Sequence, residues 1–173
     1  DKYTFQHCIN VGILAMGVAH QLQWTRSEIV GAGLAGMLHD IGKVKIPKHI
    51  LNKAGKLETH EFNIIKTHSK LGFDSIKLDG TLSQKVKLAA LQHHERPDGQ
   101  GYPHGKSGTQ IEQLSYLISV VDAYDAITSN RCYQTSRSHH KALAILWEMR
   151  GSQFDKGMVE AFIAWTGWVT PGN

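Results

Sequence analysis

The 173-residue sequence is notable first for what it lacks. Its two cysteines, Cys8 and Cys132, are too few for a disulfide framework. Each reads as a small buried hydrophobe, in keeping with a reducing, cytoplasmic setting. Apolar runs such as 117–121 break off within a few residues, far short of the ~20 needed to span a bilayer, so no membrane contact is expected. Alternating apolar runs joined by tight turns are missing, which argues against a sheet. Repeats, low-complexity tracts and the composition of a disordered chain are missing too. The basic surplus is small, 19 Lys and Arg against 15 Asp and Glu, and it forms no DNA-binding helix. It is local instead: Lys43, Lys45, Lys48, Lys53 and Lys56 stand together without an acidic residue, either as a solvated face or as a rim that attracts phosphate. The sequence begins at Asp1 without a methionine or an apolar leader. Residues 1–173 are therefore expected to be one domain excised from a longer protein whose N-terminal partner is missing.

What the sequence does have is helical periodicity. His7, Val11, Leu14 and Val18 recur on one helical face. Thr25 or Ser27 can cap a helix running through Ala32 and Ala35 to Leu38, with Gly42 and Pro47 ending it. Thr59 can cap one carrying Glu61, Ile64, His68 and Leu71, and Ser83 one reaching His93 and His94. Glycines and prolines crowd residues 95–113, and helix returns over 114–129, 139–150 and 155–166. The expectation is an all-α bundle of about seven helices with one long Gly/Pro-rich loop, a length at which loops often carry function.

Eleven histidines exceed ordinary usage. His7, His39, His68, His93, His94, Asp40 and Asp122 each fall on an inward face or at a helix end. Singly, each is best read as a hydrogen-bonded core residue. Together, five buried imidazoles and two carboxylates would leave a heavy desolvation cost without a compensating cation. A metal centre resolves this. Seven donors exceed one tetrahedral site, and Asp40 can bridge two cations through its two oxygens. The donor set suits iron or manganese, with zinc or nickel as alternatives. Two such ions could hold a hydroxide between them and clamp a phosphoryl group for in-line attack. His20 lies roughly 220° around the helix from His7 and faces elsewhere. His49, His60, His104, His139 and His140 read as surface residues.

The residues now in view resemble a known family. "HDIGK" at 39–43 is similar to the signature of the HD superfamily of metal-dependent phosphohydrolases, and "HHERPDGQGYP" at 93–103 resembles the more specific element of its HD-GYP branch. "DKYTFQH" at 1–7, "IPKHILNKAGKLETHEF" at 46–62, "HSKLG" at 68–72 and "VDAYDAITSNRCY" at 121–133 support it, so that the resemblance covers about residues 1–150. It implies an HD-domain bundle that hydrolyses a cyclic dinucleotide, cyclic di-GMP or 3′,3′-cyclic GMP-AMP, to the linear form. By position it implies His7, His39, Asp40, His68, His93, His94 and Asp122 as metal ligands and Lys43 as a catalytic contact to the scissile phosphate. Gly101, Tyr102 and Arg131 become substrate contacts, with Asp1 at the site edge. Tyr3 replaces a glutamate that serves a third metal in some members, which favours two metals here. Gln134 and Tyr116 stand where basic residues are common. Tyr102 meets either a base or a partner signalling domain. Asp125 stays outside the ligand set, free to orient a histidine or to pair with Arg131 or Lys43. The rival readings are a non-catalytic cyclic-dinucleotide receptor and an HD-type nucleotide phosphohydrolase.

Overall fold

The computed structural model describes residues 2–129 and 139–167. Asp1, Arg131, Cys132 and Gln134 lie outside the described residues. Among the described residues nine α-helices follow one another: α1 (Lys2–Gln21), α2 (Arg26–Leu38), α3 (Lys48–Leu51), α4 (Thr59–Lys66), α5 (His68–Ile76), α6 (Gln84–Gln92), α7 (Gln113–Thr128), α8 (His139–Glu148) and α9 (Lys156–Thr166). Short 3-10 turns occupy Ile41–Lys45 and Gly108–Gln110, and the described residues form no β-strand beyond one isolated bridge.

Local chemistry accounts for the boundaries. Thr25 caps α2, its Oγ1 accepting from the Glu28 N–H while Glu28 Oε2 accepts from the Thr25 N–H, so Ser27 is not the cap. Ser83 caps α6 and Asp155 caps α9 with a single bond each, their side-chain oxygens accepting from the N–H groups of Val86 and Met158. The expected helix from Thr59 through Leu71 is in fact two. Glu58 holds the cap position of α4, and at Thr67 the N–H bonds the Ile64 carbonyl three residues back, tightening the chain into a break. That break and the single turn α3 account for the helices beyond the expected seven. Gly42 does not end α2 directly. It lies inside the 3-10 turn that follows.

The core forms around α7, which packs against α1, α2, α6, α8 and α9. Its Leu117, Ile118, Val120 and Val121 are fully buried, met by Val11 and Val18 of α1, Ala32 and Ala35 of α2, Val86 of α6, Leu146 of α8 and Phe162 of α9. Each large side chain of this set contributes about 1.5–3 kcal/mol by leaving water. Helices α1 and α2 cross at Gly12 and Gly36, where a Cβ on Gly36 would lie 2.6 Å from the Gly12 backbone. The close crossing brings the His7 end of α1 beside the C-terminal end of α2, and thereby positions the site.

Candidate metal centre

Five elements converge on one point. His7 comes from α1, and His39 is the C-cap of α2 with Asp40 directly after it. His68 opens α5, His93 caps α6 with His94 next to it, and Asp122 lies within α7. Gly42 fixes the approach of Asp40 to His68, since a Cβ there would collide with the His68 carbonyl oxygen. His7, His39, Asp40, His68 and His93 are all buried. The Asp40 carboxylate sits at the middle. Its Oδ1 is 3.3 Å from His68 Nε2 and 3.9 Å from His93 Nε2, and its Oδ2 is 3.3 Å from His39 Nε2 and 4.0 Å from His7 Nε2. Asp122 Oδ1 lies 3.0 Å from His7 Nε2 and 3.7 Å from His39 Nε2. Among the described residues, donor atoms within 4.8 Å of one another form three overlapping groups: His68, His93 and His94; His7, His39 and Asp122; His39, Asp40 and His93.

The histidine rings are oriented from behind. Nδ1 of His39 meets the Gly36 carbonyl at 2.6 Å, Nδ1 of His68 the Ile65 carbonyl at 2.7 Å, and Nδ1 of His93 the Ala89 and Ala90 carbonyls at 3.1 Å. A carbonyl only accepts, so each Nδ1 carries a hydrogen and it is Nε2 that faces the centre, where its lone pair can serve a cation once any proton on it is displaced. For His7 the acceptor is the Asp125 carboxylate, 2.6 Å from Nδ1. His39 Nε2 and Asp40 Oδ1 are buried without a hydrogen-bond partner. Buried polar atoms left without partners are costly unless something such as a cation satisfies them. Oriented imidazoles backed by carbonyls or a carboxylate are also the usual support of metal ligands. The residues present therefore fit a divalent metal site.

Electrostatics agree. Burial holds His68 below its ordinary value, His93 well below it, and His94 down to about 3, so these three rings are neutral donors near pH 7. Burial would raise the Asp40 carboxyl, but the charges of His39 and Lys43 outweigh it and keep Asp40 ionised. His7 and His39 are the exceptions. Burial alone would lower His39, yet the adjoining Asp40 carboxylate outweighs it and raises that ring above its ordinary value. Burial alone would lower His7 as well, yet hydrogen bonds to Asp122 and Asp125 lift it to about 9.

Two clefts border the cluster. A cavity of about 400 Å³ is lined by Lys66, His94, Arg96, Tyr102, Asp122 and Gln153 among others, and a wider one of about 640 Å³ by Phe5, Cys8, Met37, Asp40, Lys43 and Asn52 among others. The Lys43 ammonium pairs with Asp40. Tyr102 stacks on His94 with ring centroids 4.7 Å apart. Gly101 lines the smaller cavity and packs tightly, because a Cβ there would lie 2.5 Å from the backbone of His94, Glu95 and Arg96. Cys8 is only half-buried, contrary to the expected core position, because it faces the wider cleft from α1. His20, His49, His60, His104, His139 and His140 are exposed and take no part in the cluster.

A family model described as an HD domain matches residues 6–158, a span that contains the whole cluster. The chain belongs to the HD domain family. It is 40% identical over 167 residues to a cyclic di-GMP phosphodiesterase of Pseudomonas aeruginosa, covering 96% of this chain and 40% of that protein. To a 3′3′-cGAMP-specific phosphodiesterase of Vibrio cholerae it is 35% identical over 147 residues, covering 84% of this chain and 34% of that protein. The HD chain thus spans two fifths or less of the length of these relatives. Among solved structures, an HDG"Y"P protein from Bdellovibrio bacteriovorus superposes with a TM-score of 0.78 at 20% identity, over 97% of this chain and 54% of that one, which establishes the shared fold. No helix among the described residues is long and apolar enough to cross a membrane.

The HD cluster also depends on residues outside the ligand set, and of the roles the sequence left open to Asp125 the structure shows the orienting of a histidine. Asp125 orients His7, and is itself held by the Asn10 amide at 2.9 Å and the Ser129 hydroxyl at 3.2 Å. Its place three residues after Asp122 was the only signal in the sequence. Glu95 is fully buried and accepts the backbone N–H groups of His104 and Lys106 at 2.8 and 2.9 Å, pinning the segment that carries Tyr102. The two arginine–carboxylate bonds of Arg96 to Asp98 brace the same segment. Glu95 lies inside the 93–103 motif, so the position was visible while its role was not.

Proposed function

We propose that this chain hydrolyses a 3′,5′-cyclic dinucleotide, cyclic di-GMP or 3′,3′-cyclic GMP-AMP, to the linear dinucleotide. The observation that carries the reading is the Asp40 carboxylate, with one oxygen turned toward His68 and His93 and the other toward His39 and His7. Such an arrangement suits two divalent cations joined through Asp40, one held also by His68, His93 and His94 and the other by His7, His39 and Asp122. Iron or manganese fits this mixed nitrogen and oxygen set. When bound, the cations supply an activated water and neutralise charge on the phosphoryl oxygens.

The side chains then divide the remaining work. Asp40 and Asp122 lend negative charge that holds the cations, and the carbonyl-backed histidines keep their lone pairs fixed so that little reorganisation accompanies reaction. Lys43, at the rim of the wider cleft, is placed to add positive charge beside the scissile phosphate. Tyr102 and the close-packed Gly101 form one wall of the smaller cleft, where a nucleoside can lie against the ring. Water adds to phosphorus, the bond from phosphorus to the 3′ oxygen breaks, and that oxygen leaves as a hydroxyl after gaining a proton. Arg131 and Asp1 are assigned to substrate contacts by motif position alone. We also read the exposed Gln100, His104 and Gly105 as the edge that a regulatory domain contacts, and we place the activity in the cytoplasm, where such messengers act.

The test is incubation of metal-loaded protein with each cyclic dinucleotide, followed by chromatography. Appearance of the linear dinucleotide is expected. Binding without turnover under iron and manganese would point to a receptor, and preferential release of triphosphate from nucleotides to another phosphohydrolase. Either result would overturn the proposal.

A further inference from the structure

Lys66, the last residue of α4, has no role in the reading above, yet its placement is specific. Its ammonium stands 4.7 Å from the ring centroid of Phe62 and 5.5 Å from that of Tyr102, and it lines the smaller cleft with His94 and Asp122. Nearby lysines are engaged by carboxylates. Lys53 pairs with Glu61 at 2.7 Å, and Asp74 pairs with Lys77 at 2.7 Å and Lys70 at 3.3 Å. Arg96, the other cation of the cleft, is neutralised by Asp98. Among the described residues, no carboxylate forms an ion pair with Lys66. Two aromatic faces hold it in place without cancelling its charge. A half-buried cation fixed in this way, beside a phosphoryl-processing cluster, is suited to an anion that enters the cleft.

A cyclic dinucleotide carries two phosphates, and only one can occupy the cations at a time. We propose that Lys66 binds the second, uncleaved phosphate of the substrate, so that the ring is recognised by both of its charges. The inference rests on the proposed cyclic-dinucleotide activity and assigns the smaller cleft to the non-reacting half. A purely local role for Lys66, as a cation at the C-terminal end of α4, would stabilise the helix but would not depend on which substrate is present.

The experiment compares Lys66→Met and Lys66→Arg with the unaltered protein, metal-loaded, on cyclic di-GMP and on bis(p-nitrophenyl) phosphate, a diester with a single phosphate. Loss of a charge-assisted contact should raise KM for cyclic di-GMP by roughly tenfold to a hundredfold. The penalty on the single-phosphate diester should be at least fivefold smaller. Lys66→Arg should recover most of the loss, and Lys66→Met should weaken the dependence of KM on salt. If Lys66→Met does not fold, Lys66→Gln carries the same expectations. Equal penalties on both substrates, or an unaltered KM for cyclic di-GMP in a protein that turns it over, would overturn the Lys66 assignment alone. An unaltered protein that cleaves the small diester but neither cyclic dinucleotide would overturn the proposed activity and this inference with it.

Discussion

Replacing Asp125 by asparagine removes one charge from behind His7 while leaving the Nε2 side of that ring untouched. Three donors converge on the Asp125 carboxylate: His7 Nδ1 at 2.6 Å, Asn10 Nδ2 at 2.9 Å and Ser129 Oγ at 3.2 Å. An asparagine has one accepting oxygen. If it faces His7, the new NH₂ faces the Asn10 amide donor. If the amide flips, its NH₂ faces His7 Nδ1, which must then accept, moving the ring hydrogen to Nε2 where a cation should bind. A charge-assisted hydrogen bond lost in this way is worth about 1.5–3 kcal/mol, or roughly tenfold to a hundredfold in metal affinity. Competition against a fluorescent chelator measures it, with Asn10→Ala as a milder comparison that removes a single donor. Turnover at saturating metal should recover in Asp125→Asn, because the defect is one of affinity. A change in affinity of less than about twofold would refute the argument that Asp125 sets the His7 tautomer.

Metal-stripped protein should be most stable near pH 6.5 as far as its histidines are concerned. His7, lifted to about 9, and His39, also raised, add stability that is complete below 6.5 and is lost as pH rises through their folded values. His94, held down to about 3, and the depressed His68 and His93 take up protons on unfolding below 6.5 and so remove stability as pH falls. Thermal melts across pH 4.5–9 in chelator check this, and a monotonic rise to pH 9 would count against it. Glu95→Ala should cost about 2–4 kcal/mol in urea denaturation, because it orphans the backbone N–H groups of His104 and Lys106. Gly42→Ala should cost about 1–3 kcal/mol and lower metal retention, since the added Cβ meets the His68 carbonyl and must push the 3-10 turn away from α5. Unchanged metal content in a destabilised Gly42→Ala protein would separate the turn from the site.

The helices were legible wherever a pattern was local. The spacing of His7, Val11 and Val18, a cap at Thr25 or Ser27 and the Ser83 cap each follow from a few neighbouring residues, and the structure places the first and last so and chooses Thr25 for the second. The break at Thr67 was not legible, because Ile64 through Leu71 keep helical spacing across it. At the site, seven inward histidines and aspartates could be picked out from residue type and helical phase, and they do converge. What turns them toward a cation is backbone: the carbonyls of Gly36, Ile65 and Ala89 exist in any sequence, and only the folded chain shows which ring each one meets. Glu95 is similar. A glutamate in a polar, glycine-rich segment reads as solvated until the segment folds back and its amides find it.

The most direct measurement is the number of divalent cations bound per folded chain after loading with iron or manganese, read by elemental analysis beside the same count for Asp40→Ala. The account predicts two ions per chain and a marked loss in the variant, whose two clusters would no longer share a carboxylate. A folded, metal-supplied protein that holds none, or a variant that keeps both ions as tightly, would contradict it.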